Sequence, residues 1–201
     1  MLRFPLARHF YVVTIVLSLG SCAGPGGARD SEERASRASS EDPIIAELLT
    51  DLSVVEEKII ALADGFTQEQ YDWRPGEGVR SAGEVLMHVA AINVALPLFA
   101  GHEAPSSTGL TMENLPTAAP AYENSVKNRD GIRPELTASF EHLRMALKST
   151  SASDLQRQVT VFGDAMTARA FWIGHLGHLH EHLGQAIAYG RTNGVAPPWS
   201  Q

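Results

Sequence analysis

Between Ile44 and Leu62 the apolar residues Ile44, Ile45, Leu48, Leu49, Leu52, Val55, Ile59 and Leu62 recur at helical spacing. Such a stripe must be covered by other apolar stripes, and this constrains the chain more than any other feature. Val85, His88, Val89, Ile92 and Leu96 repeat the pattern, as do Leu136, Phe140, Leu143 and Leu147. A further long helix is expected from about Met166 to Tyr189. No series of alternating strands and no internal repeat is present. Four main striped helices predict an all-α fold, a four-helix bundle.

Local signals place the boundaries. Asp42-Pro43 supplies a capping side chain, then a proline where its missing N–H costs nothing. Gly65 ends the first stripe. Ser81-Ala-Gly-Glu84 reads as a capping box opening the second, and Pro97 should kink or end it. From Gly101 to Pro120 the chain carries Gly, Pro, Ser and Thr without period, so a long loop is expected after the second helix. A short helix is expected at 121–129, a turn at Asp130-Gly131, and a third main helix opening at Pro134. Ser151-Ala-Ser-Asp154 should start a short helix, Val159 to Phe162 a brief extended piece, and Gly190 should stop the last helix.

The first 21 residues read as an address. Arg3 and Arg8 precede an apolar run from Phe10 to Leu19, which is too short to span a bilayer and has the length of a signal-peptide core. It ends in Leu19-Gly20-Ser21-Cys22, which is similar to a bacterial lipobox, whose cysteine is lipidated after cleavage. Cys22 is the only cysteine, so it cannot make an internal disulfide, and lipidation explains both its presence and its solitude. The expected product is exported and anchored by lipid to the cell envelope. Cleavage before Cys22 would leave 180 residues and move the formal charge from −7 to −9. No basic patch then remains to neutralise phosphates, which argues against a nucleic-acid partner. Residues 22–41 have no apolar side chain larger than alanine beyond Cys22 and Pro25, and read as a flexible tether. A single domain is expected over 42–199.

The histidines carry the chemistry. At about 100° per residue, His178 and His182 fall roughly 40° apart on one helix face, so two rings can reach one metal ion. His180 falls on the opposite side and reads as a solvated surface residue. His175 falls roughly 60° from His178 and can be a core residue, a group that orients a ligand, or an alternative ligand. A third ligand must come from another helix, and His88 sits among apolar residues on the capped second helix. Three neutral imidazoles leave coordination positions for water or substrate, as in catalytic sites. Zinc and nickel suit such ligands best, and manganese and iron also accept them. The metalloprotease motif His-Glu-x-x-His fails: His180-Glu181 is followed by His182-Leu183-Gly184, and the second histidine is missing.

Trp73-Arg-Pro, then Ser81-x-x-Glu84-x-x-x-His88, then His178-x-x-x-His182-x-Gly184-Gln185 with Arg191 nearby, resemble the DinB/YfiT-like superfamily of four-helix bundles over about 45–198. The resemblance implies a divalent-metal site made by one histidine of the second helix and two of the last, which map to His88, His178 and His182. It also implies a possible homodimer and, in a few members, transfer or isomerisation that uses a small cellular thiol. The export signal departs from that family, and small cytosolic thiols are scarce outside the membrane.

Other residues have plainer readings. Glu84, one turn before His88, is a candidate catalytic base or orienting group, although the capping box already explains it. Trp73 reads as a core anchor, Gly184 as permitting close helix packing, Gln185 as a packing or hydrogen-bonding group inside the bundle, and Tyr189 as a core tyrosine able to approach a substrate. Two functions follow. One is a metal-dependent hydrolase or thiol transferase acting on a small molecule of unknown identity. The other is a non-enzymatic metal-binding lipoprotein at the membrane face.

Overall fold

The computed structural model describes residues 42–200, and the segments expected to be a signal peptide and a tether, with Cys22, lie outside the described residues. The described chain is mostly helical. Its four long helices are α1 (Pro43–Gly65), α3 (Ala82–Ala95), α5 (Arg129–Ser149) and α7 (Ala168–Thr192). Short helices α2 (Gln68–Asp72), α4 (Leu115–Glu123) and α6 (Ala152–Leu155) lie between them. Each of α1 and α3 packs against both α5 and α7, so α1 and α3 stand diagonally in the bundle. The stripes meet in one core. Leu52, Val55 and Leu62 of α1, Val85 and Met87 of α3, Leu136 and Phe140 of α5, and Leu179 of α7 are all fully buried there.

Capping residues set the helix starts as expected at Asp42, whose side chain accepts the Ile44 N–H, and at Ser81. Pro97 ends α3, and the chain continues as a 3-10 turn over Leu96–Ala100. The region between α3 and α5 differs from the sequence expectation. The helix expected at 121–129 forms instead at Leu115–Glu123, beginning inside the expected loop and overlapping the expected helix only at 121–123. Pro116 there occupies the first turn, where proline is tolerated, so it does not act as a breaker. The third main helix begins at Arg129, not at Pro134, because the Asn128 side chain accepts the Gly131 N–H and draws Asp130-Gly131 into the first turn.

Helix α7 also runs past Gly190 to Thr192. Gly190 packs rather than caps: a Cβ there would sit 3.1 Å from the Phe66 ring and 3.3 Å from the Val195 carbonyl. Gly184 has the reverse outcome. A Cβ there would meet nothing within 4 Å, so close packing is not its role.

The extended piece expected from Val159 is β1 (Gln158–Val161), paired antiparallel with β2 (Asp164–Thr167). Thr167 then caps α7. The two turn residues, Phe162 (φ 52°) and Gly163 (φ 99°), are both left-handed, as a two-residue hairpin turn of the right twist requires. The hairpin packs on the 3-10 turn and sets the Phe162 ring edge-on to Phe99, with centroids 5.1 Å apart.

One polar cluster lies in the core. Asn93 donates to Ser139 at 3.3 Å, Ser139 donates to the Leu136 carbonyl at 2.7 Å, and His175 Nε2–H donates to Asn93 Oδ1 at 3.2 Å. His175 is thus a core histidine. Burial holds its imidazole down to about 3, so it is neutral in the folded protein. Its folded value lies below the unfolded one, so the unfolded chain takes up the proton first. The stability is complete above about pH 6.5 and is lost as the pH falls toward 3, by about 1.4 kcal/mol per pH unit for this group. Urea unfolding at pH 7, 5 and 4 should show this slope, and His175→Phe should reduce it by one proton's worth.

Candidate metal centre

Helix α3 presents His88 toward the face of α7 that carries His178 and His182. The three histidines each offer a ring nitrogen, and these atoms lie within 4.8 Å of one another. His178 Nε2 and His182 Nε2 are 3.2 Å apart. The His88 ring lies edge-on to both, with centroids 5.7 Å from His178 and 4.7 Å from His182.

Each ring is held by its other nitrogen. His88 Nδ1–H donates to Glu123 Oε2 at 2.9 Å, His182 Nδ1–H donates to Gln185 Oε1 at 3.0 Å, and His178 Nδ1–H donates to Glu181 Oε2 at 3.3 Å. A carboxylate, or an amide oxygen, can only accept, so these contacts place the protons on Nδ1 and leave the Nε2 lone pairs free. Gln185 is fixed in turn, because its Nε2 donates to the Tyr189 hydroxyl at 3.0 Å. Tyr189 stacks edge-on against Trp73 at 5.3 Å. The whole row from Trp73 to His182 is therefore packed into one orientation.

Electrostatics favour neutral rings at His88 and His182. Burial pushes His88 below the ordinary imidazole range, against an upward pull from Glu123. Burial also pushes His182 down, to about 4, with the neighbouring His88 and His178 adding to the effect. A divalent ion suits this donor set. Two imidazoles on one tetrahedral zinc at about 2.0–2.1 Å stand about 3.3 Å apart, close to the spacing of His178 and His182.

Glu123 is the residue that the sequence did not point to. It belongs to α4, and it also pairs with Arg80 at 2.9 Å. Glu84 stands elsewhere. One of its oxygens accepts the Ser81 N–H at 2.8 Å and the other faces Arg74 at 3.2 Å, which holds its carboxyl below the usual range. The group that orients His88 is Glu123. His180 points away, to Asp51 at 3.0 Å on α1, and Arg191 is exposed. Beside His88 and Glu123 opens a cavity of about 520 Å³.

The family model of the DinB superfamily matches residues 51–186, which takes in all three histidines. The chain belongs to the DinB superfamily. Solved DinB-like proteins share its fold. One from Bacillus cereus is 22% identical with a TM-score of 0.58, covering 75% of this chain and 93% of its own. One from Bacillus subtilis is 22% identical with a TM-score of 0.51, covering 76% and 92%. The mycothiol-dependent maleylpyruvate isomerase is 19% identical with a TM-score of 0.54, covering 69% of this chain and 59% of that one. No curated protein matches the chain. In this DinB-superfamily chain the histidine cluster thus sits on a bundle that solved relatives share.

Proposed function

We propose that this DinB-superfamily protein is a divalent-metal-dependent enzyme, a hydrolase or a thiol transferase, anchored by lipid at Cys22 on the outer side of a membrane. The observation that carries the reading is the convergence of three oriented imidazoles, one of which, His88, lines an open cavity. A filled or closed site would favour a storage or sensing protein instead. His88, His178 and His182 would hold the metal, which would supply Lewis-acid activation of a water or a thiol.

This chain's own residues do the rest. Glu123 fixes the His88 ring and keeps its Nδ1 protonated. Gln185 does the same for His182. Arg80 balances the Glu123 charge. Glu123 also lines the cavity, whereas Glu84 does not, so any part a carboxylate plays toward a bound substrate falls to Glu123 once Arg80 or His88 releases one of its oxygens. The likeness to a mycothiol-dependent isomerase supports thiol transfer as one option for this bundle, and the export signal supports hydrolysis.

Removing Glu123 tests its part. Groups that orient a metal-bound histidine typically contribute 10- to 100-fold to metal affinity. Glu123→Ala should weaken zinc binding by about that factor in a competition titration, while Glu84→Ala should leave it within about twofold. The reaction is tested by screening the metal-loaded full chain against esters, amides and epoxides, with and without small thiols, beside His178→Ala. Metal-dependent turnover that His178→Ala lacks is expected. Turnover equal in both proteins would overturn the enzyme reading.

A further inference from the structure

The cavity beside the histidines has thirteen lining residues, and only His88 and Glu123 carry a polar or ionisable side chain. These two touch each other at 2.9 Å, so all the polarity sits at one end. The rest is aliphatic or aromatic, and the space exists because Ala91, Ala95 and Ala119 are small. Arg80, the cation near this end, is paired with Glu123 at 2.9 Å. No cation lines the wall, and an anionic ligand would meet the Glu123 carboxylate instead.

The mouth carries a second signal. Phe162 lines the cavity, yet is 79% exposed, and Met112 beside it is 48% exposed. Phe162 also holds φ at 52° in a hairpin turn. That conformation suits Asn or Gly and is an outlier for a bulky side chain. A strained, exposed aromatic at the mouth of an apolar cavity is an arrangement that costs stability unless something apolar covers it.

We infer that the cavity takes the apolar tail of an uncharged small molecule whose single polar end reaches the three histidines. The polar end rests on the metal reading above; the tail does not. The volume lies in the range of small-molecule sites, and its walls match an alkyl or aryl group and reject a charged, highly hydroxylated thiol. The strained turn fixes the Phe162 ring against Phe99, where it closes over the tail.

The test is a series of straight-chain hydroxamic acids, from acetyl to decanoyl, titrated into the cobalt-loaded full chain. These probes are uncharged at neutral pH and differ only in tail length. Each added methylene that enters the cavity should tighten binding by about three- to fourfold until the space is filled. Phe162→Asn, which suits the turn and should fold, should flatten the series. The metal-free His178→Ala protein is titrated with straight-chain amides, read by ligand-observed NMR. There the dependence on length should persist at weaker affinity. Should cobalt fail to bind while the amide series stays steep, the metal reading falls and the tail site stands. If cobalt binds but affinity is flat along both series, the tail site is overturned. A dimer dispersed by Phe162→Asn, with flat series, overturns it too, because a second copy would then be the occupant.

Discussion

His182→Ala is expected to abolish stoichiometric metal binding, with a loss of affinity well beyond 100-fold, while the bundle stays folded. His182 is the ring nearest to both others, 4.5 Å from His178 and 4.7 Å from His88 by ring centroids, against 5.7 Å between His88 and His178. Its removal takes away one of three donors, the one also held by Gln185. The loss should exceed that for Glu123→Ala, because an orienting group tunes a ligand and a ligand makes the bond. The fold should survive, because the core residues of the four helices are apolar and bury one another without the metal. Far-ultraviolet circular dichroism beside metal analysis by mass spectrometry checks both halves. Loss of helicity with the metal would show that the ion is structural.

Phe140→Ala is expected to give the largest loss of stability, about 3–5 kcal/mol. Phe140 lies on α5, is fully buried, and belongs to the single core that joins all four long helices. Its removal forfeits the transfer energy of the ring and leaves a cavity that rigid helices fill only in part. A loss of that size is a large fraction of the 5–15 kcal/mol that holds a typical domain together. Urea denaturation should show a lower midpoint with an unchanged slope. A loss below about 1 kcal/mol would mean that α5 is not part of the common core.

The bundle and the histidine cluster were legible in the sequence because both rest on the helical period. The stripe from Ile45 to Leu62 and the four-residue step from His178 to His182 are local facts, and rotation by about 100° per residue turns them into faces. Three things were not local. Glu123 reaches His88 across 35 residues, and only the docking of α4 on α3 brings them together. Helix α4 was itself hidden by Pro116 and Pro120, which read as loop signals but lie within the helix. The packing role expected at Gly184 falls to Gly190, because a glycine that permits contact and one that ends a helix look alike until the neighbour is known, and Gly184, inside α7, does neither. Glu84 shows the converse. Its capping box was legible, and the backbone donor of Ser81 occupies the carboxylate that proximity to His88 had suggested for chemistry.

The central claim is that one divalent ion sits among His88, His178 and His182. Anomalous diffraction from a crystal of the zinc-loaded protein tests it most directly. The account predicts one strong peak at bonding distance from the Nε2 atoms of all three histidines, with the cavity side of the ion open. A peak at His180 and Asp51, or no peak among the three rings, would contradict it.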